Sequence, residues 1–329
     1  LGQDEPANLN DEPRFPQQPD VSVLIVAFKS QDFILDCIES IYRHTARTAF
    51  EVLVIDNSDD GTAELLAERA PEVRVVPNKE NLGFGRGNNR LAEAARGKRL
   101  LLLNPDTWLT DDAIDRLDNF AQLRPEAGAW GGLTITPDGE LDAGNRLVFP
   151  TLRRLMRWTL GDGAALEEGG LPGRDRTPGK TPGPVDVLPG GFMMVRRDVW
   201  DALGGFDEEF FLYSEEIDFF LRLKRAGFAA WATPHAVVVH DAGSGDRGSP
   251  QRLLYRTKGQ MHYVRKHWSG PRARAALALL WIGFTWRWLA GLTLGVWSPR
   301  DRAQDWRRKR RAYGGLAFRP WRWWRGYAS

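Results

Sequence analysis

The chain has 329 residues, 42% hydrophobic and 27% charged, enough for a sizeable buried core and inconsistent with global disorder. A formal net charge of +2 argues against a dedicated nucleic-acid binder, so no nucleic-acid partner is expected. The single cysteine, Cys37, excludes an internal disulfide.

Residues 1–20 carry five acids against one Arg, are rich in Pro, Asp and Gln, and have no apolar core. They read as a disordered leader rather than a signal peptide. From Val21 the pattern becomes regular. "VSVLIVAF" is a strand, and Phe33, Ile34, Cys37, Ile38, Ile41 and Tyr42 then recur at helical spacing. Strand and helix alternate three more times: "FEVLVIDN" with "GTAELLAERA", "VRVVPN" with "GRGNNRLAEAARG", and "RLLLLN" with "TDDAIDRLDNFAQLRP". Thr110 is the expected N-cap of that last helix, with acids in its first turn and a proline stop. Four such alternations predict a parallel sheet with helices on its faces.

The second half is more mixed. "AWGGLTITPDGELD" predicts a hairpin around Pro-Asp-Gly, and the Gly/Pro-rich residues 161–184 a mobile loop. "VDVLPGGFMMVRR" reads as strand, "RDVWDALGG" as a short helix, "SEEIDFFLRLKRAG" as a longer one, and "AAWATPHAVVVH" as extended chain. Residues 275–297 carry a single charge, Arg287, and residues 299–329 carry ten Lys/Arg against two Asp.

Leu100–Leu103 run straight into Asn104-Pro105-Asp106. A run this apolar is a strand covered on both faces, and proline ends it. Asp106 then lies just past the carboxyl end of a central strand, where open α/β sheets bind ligands. Asp56 ends the second strand in the same way, although strand-end acids also serve as plain helix caps. The Asn81–Asn89 segment is Gly-rich and opens a helix whose N-terminus favours anions, with a tight strand–helix turn as the bland alternative. Glu215, Glu216 and Asp218 cluster within four residues. They either complement a helix dipole or, by mutual repulsion, raise a pKa as a general base requires. His240 ends the last extended stretch ahead of a Gly/Ser loop. With Asp106 it would give a divalent ion two protein ligands and leave room for phosphate oxygens. Arg247 and Arg252 stand ready to close on a diphosphate.

In this order, "VSVLIVAFKSQDFILDCIESI", "VLVIDNSDDGT", "NKENLGFGRGNN", "LLLLNPDTWL", "GGFDEEFFLYSEEIDFFLRLKRAG" and "VVVH" resemble the family 2 glycosyltransferases. The Asn-Pro-Asp form is most similar to bacterial rhamnosyltransferases of cell-wall and O-antigen assembly. The resemblance covers roughly residues 21–250 and implies an α/β fold of GT-A type: one domain on a mixed, mainly parallel sheet, spanning 21–256. A C-terminal helical region, 257–329, follows. It also implies an inverting transfer from a nucleotide-diphospho-sugar, with dTDP-rhamnose the best guess, to a glycan or lipid-linked acceptor. Ala27 and Phe28 should line the base pocket and Asp56 should bind the base. Asn81, Gly83, Phe84 and Asn88 should lie along the nucleoside, with Asn104 nearby. Gly190 and Gly191 should let the donor sugar approach the backbone. Asp106 and His240 should hold Mn²⁺ or Mg²⁺. Glu216 matches the usual base. Two positions depart from the family pattern: Asn104 replaces the first acid of Asp-X-Asp, and Glu215-Glu216 replaces Glu-Asp, which leaves Glu215 and Asp218 open as bases.

The 275–297 segment is long enough to span a bilayer. Arg287 at its middle opposes insertion by roughly 2.5–3.5 kcal/mol. Trp281, Trp286, Trp288, Trp297, Trp321, Trp323 and Trp324 suit a headgroup interface. The expectation is a cytoplasmic protein lying on the inner leaflet, its basic tail on anionic lipid, with packing on the catalytic domain as the alternative. Two other functions stay open. A nucleotidyltransferase on sugar phosphates usually has a Gly-rich loop after the first strand, and "AFKSQDF" has no glycine. A non-catalytic nucleotide-sugar binder would tolerate loss of the acids at 106 and 216.

Overall fold

The computed structural model describes residues 18–146, 148–162, 181–241, 249–297 and 300–327. Most of the expected leader, most of the expected 161–184 loop, and Arg247 lie outside the described residues. Asp20, the last residue of that leader, is bound to the sheet: its N–H donates to the Ala49 carbonyl at 2.8 Å and its carbonyl accepts from Arg99.

The first half alternates as its pattern dictates: β1 (Val21–Ala27), α1 (Ile34–His44), β2 (Phe50–Asp56), α2 (Thr62–Arg69), β3 (Arg74–Val76), α3 (Gly83–Ala94) and β4 (Arg99–Leu103). There follow β5 (Thr107–Trp108), α4 (Ala113–Gln122), β6 (Ala129–Ile135), α5 (Leu152–Thr159), β7 (Gly183–Val185), β8 (Phe192–Arg196), α6 (Arg197–Leu203), α7 (Glu215–Arg225) and β9 (Ala230–His240). One sheet has the order β3-β2-β1-β4-β8-β6-β9-β5, with β7 beside β9. Strands β3, β2, β1 and β4 are parallel, and β8 enters antiparallel to β4.

The leucine run has a simple cause. Leu101 and Leu103 face α1 and α4, whereas Leu100 and Leu102 face α3 and α7, and all four are buried. Each such side chain contributes about 1.5–3 kcal/mol of transfer free energy, which holds this strand end firmly in the sheet. Cys37 belongs to the first of these cores.

Local chemistry moved four boundaries. Helix α4 starts at Ala113, not after Thr110. Asp112 pairs with Arg47 and Arg116, and Asp115 turns back to accept the Ala46, Arg47 and Thr48 N–H groups. The Gly-rich segment is the first turn of α3 itself. The expected hairpin keeps its turn but only one bridge, Ile135 with Leu141, because the chain then enters a 3₁₀ turn at Ala143–Arg146. The expected strand through 185–196 is broken into β7 and β8 around Pro189-Gly190-Gly191.

Beyond residue 249 come α8 (Pro250–His267), α9 (Gly270–Trp297) and α10 (Arg300–Ala317). Ser249 caps α8 by accepting the Arg252 N–H at 3.1 Å. The expected 256/257 boundary falls inside this continuous helix. These helices and α5 close a third core around Leu155, Met261, Leu280, Phe284, Leu316 and Trp323. Helix α9 is long and apolar enough to cross a membrane. Yet α10 runs back along it, with Gly314 against Trp288 and Gly291 against Arg310. Charged α10 therefore lies beside α9 for much of its length. Trp323 is buried and Trp288 packs on Phe318, while Trp281, Trp286 and Trp321 are exposed.

Candidate active site

Strands β1 and β2 end together, Ala27 in register with Asp56. The Ala27 side chain is fully buried in the core beneath, so it lines no open pocket. Phe28 is half exposed. The Asp56 carboxylate accepts the Ser58 N–H at 2.9 Å and its hydroxyl at 2.7 Å through Oδ1.

The glycines of α3 serve the chain's approach to itself. Gly83 has φ +76°, and a Cβ there would stand 2.0 Å from the Phe211 carbonyl oxygen. Two N–H groups at this helix start are already used: Gly83 donates to Asn81 Oδ1 and Phe84 to the Phe211 carbonyl. The Asn88 amide donates to the Phe84 carbonyl, and Asn89 exchanges two hydrogen bonds with the Phe206 backbone. The helix start thus anchors the 206–214 loop, which leads into α7.

At the end of β4, Asp106 Oδ1 lies 3.2 Å from His240 Nε2. Asn104 Nδ2 lies 3.1 Å from the same nitrogen. Strand β5 returns antiparallel to β9, pairing Thr107 with His240, so the two ligand-type residues are joined by sheet register. Asp142, absent from the sequence-based candidates, meets His240 Nδ1 at 2.5 Å. Burial by itself would lower the His240 pKa, but its hydrogen bonds to the Asp106 and Asp142 carboxylates outweigh burial and push it up to about 9. Two ligands on one divalent ion stand about 3 Å apart when the bonds are near 2.1 Å, and a carboxylate on the far imidazole nitrogen is the usual second partner of a metal-bound His. The Asp106–His240–Asp142 arrangement fits a cation on both counts. A second group, Asp207, Glu209 and His262, brings ligand atoms within 4.8 Å of one another. There the Lys266 ammonium already sits 2.5 Å from Asp207.

The three acids of α7 take different surroundings. Asp218 is fully buried and bound by Arg222 at 2.7 Å, Lys266 at 2.8 Å and His267 at 2.6 Å. Burial would raise its pKa, but these partners hold it well below the usual carboxylate range, which makes it a poor proton acceptor. Glu215 is buried with Oε2 unpartnered, and burial followed by the Glu216 charge lifts its pKa well above normal. Glu216 is partly exposed at the floor of a cleft. Burial raises its pKa, partly offset by the N–H groups of Glu216, Gly190 and Ser214.

The Pro189-Gly190-Gly191 bend connects these parts. A Cβ on Gly190 would meet the Phe84 ring at 2.8 Å and Glu216 Cγ at 3.4 Å; one on Gly191 would meet Asn104 Nδ2 at 2.7 Å. The Asn104 N–H donates to the Gly191 carbonyl at 3.1 Å. Glu216, Gly190, Gly191, Asn104, His240 and Asp106 therefore form one contiguous set. Asp56 joins it through Asn57, whose side chain donates to the Gly83 carbonyl.

Tyr213 and Ser214, immediately before the two glutamates, have φ of +68° and +75°. Non-glycine residues hold such angles at a cost of about 1–3 kcal/mol each, so something must press them there. The C-terminal helices do. Gly259 of α8 lies against the Tyr213 carbonyl, Arg252 Nε donates to Tyr213 Oη at 2.7 Å, and the Tyr327 hydroxyl donates to the Leu212 carbonyl. Arg252, expected on a phosphate, is thus engaged with this turn.

Residues 22–204 match the family model described as Glycosyl transferase family 2. The chain is 32% identical over 232 residues to the N-acetylglucosaminyl-diphospho-decaprenol L-rhamnosyltransferase of Mycobacterium tuberculosis (strain H37Rv), covering 67% of this chain and 76% of the relative. It is 25% identical over 237 residues to Rhamnosyltransferase WbbL of Escherichia coli (strain K12), covering 69% and 85%. Among solved structures, mannosyltransferase PcManGT from Pyrobaculum calidifontis in complex with GDP-Man and Mn²⁺ superposes with a TM-score of 0.55 at 16% identity, over 94% of this chain and 90% of that one. GalNAc-T7 with UDP, GalNAc and Mn²⁺ gives 0.54 at 16% identity, over 74% and 48%. At this identity the two structures establish the GT-A fold.

Proposed function

Since the chain belongs to glycosyl transferase family 2 and is a glycosyltransferase drawing on a nucleotide-sugar donor, we propose that it transfers rhamnose from dTDP-rhamnose, with inversion, to a polyprenyl-diphosphate-linked sugar. The single observation that carries this reading is the meeting of Glu216 and the Asp106–His240 pair across the Gly190–Gly191 bend. The relatives' names supply the sugar and the lipid.

In the proposed reaction the acceptor hydroxyl oxygen forms a bond to the anomeric carbon as the carbon–oxygen bond to the diphosphate breaks. The electron pair leaves with the nucleoside diphosphate, and the hydroxyl proton passes to Glu216. A carboxylate whose pKa is raised by burial binds that proton more firmly than one in water. Glu215 behind it stays protonated longer and keeps a second negative charge away. Gly190 holds Glu216 in place with its N–H while leaving the sugar room to sit over the bend. Asp106 and His240, with Asp142 fixing the imidazole, would hold Mn²⁺ or Mg²⁺, which when bound supplies positive charge for the departing diphosphate. A single base suffices because the leaving group needs a cation more than a proton.

The outward face of α9 carries Trp281, Ile282, Trp286 and Leu289, all exposed, and Phe318 and Trp321 extend it. This apolar stripe beside basic α10 supports a location on an anionic membrane surface at the cytoplasmic face rather than a crossing of it. The test is sugar transfer from a panel of nucleotide sugars, dTDP-rhamnose among them, to a short-chain polyprenyl-diphospho-GlcNAc with and without Mn²⁺. Transfer from another sugar alone would overturn the rhamnose assignment, and undiminished transfer in chelator would overturn the cation.

A further inference from the structure

A cavity of about 340 Å³ is lined in part by Glu216 and not by the strand-end residues Asp56, Asp106 or His240. Its floor is Glu216 with Tyr213 and Ser214. Its wall is apolar, built from Trp158 of α5, Leu280 and Phe284 of α9, and Tyr313 of α10. Three guanidinium groups line it: Arg154, Arg256 and Arg287. Together they exceed the one lining carboxylate in charge.

Arg287 is the telling member. Its guanidinium stacks 3.8 Å from the Trp158 ring centre and donates to the carbonyls of Gly283 and Trp158. Among the described residues no carboxylate pairs with it, although it is partly buried. A charge taken from water without a counter-ion is costly, and guanidinium is the side chain best matched to phosphate oxygens. The sequence placed this arginine in the middle of an apolar helix, where it only opposed insertion. In the fold it faces inward, on the same side of α9 as Leu280 and Phe284. Ile282, Trp286 and Leu289 lie on the opposite side. The cavity therefore sits one helix diameter, about 10–12 Å, from the apolar stripe.

We propose that this cavity is the acceptor site and takes a diphosphate attached to a hydrocarbon chain, with Arg154, Arg256 and Arg287 on the phosphates and Trp158, Leu280 and Phe284 on the first carbons of the chain. This rests on the transferase reading above and assigns its acceptor a place. The cations set how deep the lipid-linked sugar enters, so that one hydroxyl reaches Glu216. Arg287 here is a binding residue, not one that touches the reacting atoms.

The probe is farnesyl diphosphate, titrated calorimetrically into the full chain in detergent-free buffer, with and without saturating dTDP. Inorganic pyrophosphate, farnesol and phosphatidylglycerol vesicles are the comparison ligands. Farnesyl diphosphate should bind equally well with dTDP present, and at least about tenfold more tightly than pyrophosphate or farnesol, because both halves of the site contribute. Arg256→Gln and Arg287→Gln should each weaken it by about tenfold or more, and weaken dTDP less. Arg256 is exposed, so its variant remains informative if Arg287→Gln unfolds. Competition by dTDP would assign the cations to the donor and overturn the proposal. So would unchanged affinity in the folded variants, or vesicle binding with the same arginine dependence. If no nucleotide sugar is turned over at all, the transferase reading fails while this titration still reports on the cavity.

Discussion

Replacing Gly259 with alanine separates helix propensity from packing on the Tyr213–Ser214 turn. In a helix interior the change normally stabilises by about 0.5–1 kcal/mol. Here the new Cβ would stand 2.0 Å from the Tyr213 carbonyl oxygen and 3.2 Å from Ser214 Oγ, where ordinary contact starts at 3.4 Å. Relief requires α8 and the Tyr213–Ser214 turn to part by more than an ångström. Overpacking of that kind costs about 1–3 kcal/mol, which outweighs the propensity gain and lowers Tm by about 2–4 °C per kcal/mol lost. Glu215 and Glu216 follow directly in the chain, and a displacement of about 1 Å at reacting groups costs about 10²-fold in kcat. Gly315→Ala in α10 is the control, since its Cβ meets nothing within 4 Å. Thermal melts by circular dichroism and initial transfer rates read both. If Gly259→Ala were as stable and as active as the parent, the claim that α8 clamps the glutamate turn would be wrong.

Asp142→Asn should weaken Mn²⁺ or Mg²⁺ by about 10–100-fold, as loss of a carboxylate that orients a metal-bound imidazole does, read from the cation dependence of transfer and from Mn²⁺ electron paramagnetic resonance. Asp218→Asn should cost about 3–5 kcal/mol in urea unfolding at pH 7, because Arg222 and Lys266 lose their buried counter-ion and His267 loses its hydrogen-bond partner. The Asp218 pKa lies below its unfolded value of about 3.9, so its contribution is complete above that value and lost as pH falls beneath it. The parent should therefore lose stability on acidification faster than Asp218→Asn does. Gly190→Ala should reduce kcat by pushing Phe84 and Glu216 apart, with little change in Tm if the Phe84 ring yields; unchanged kcat would show that the bend tolerates a methyl group.

The sheet could be read from the residues because its central strands are buried on both faces, and Leu100–Leu103 are too short a run for a helix before Asn104-Pro105 stops them. Asp106 and His240 were legible as strand ends, since proline and the Gly/Ser loop mark where the strands stop. Their partner Asp142 was not. It precedes Ala143-Gly144-Asn145, which signals a turn and nothing about its distant neighbour. Asp218 looked like a third candidate base because spacing along a helix places charges near one another. It says nothing of Lys266 and His267, which arrive from α8 and bind that carboxylate. The glycines of 83–87 and 190–191 pointed to close approach of a ligand, and the approach the fold shows is to the protein's own Phe211, Val26, Phe84 and Asn104. For Arg287, hydropathy along the chain records a charge inside an apolar run that opposes insertion, but not the cavity it lines.

The most direct test of the site is the pH–rate profile of single-turnover transfer for the parent and Glu216→Gln, with dTDP binding measured alongside. The parent rate should fall on acidification through a pKa above the ordinary carboxylate value, since burial raises that of Glu216 and the base must be ionised to act. Glu216→Gln should keep its dTDP affinity, lose that acidic limb and transfer about 10²–10⁴-fold more slowly. A variant that retains both the parent's rate and its acidic limb would place the proton acceptor elsewhere and contradict the assignment.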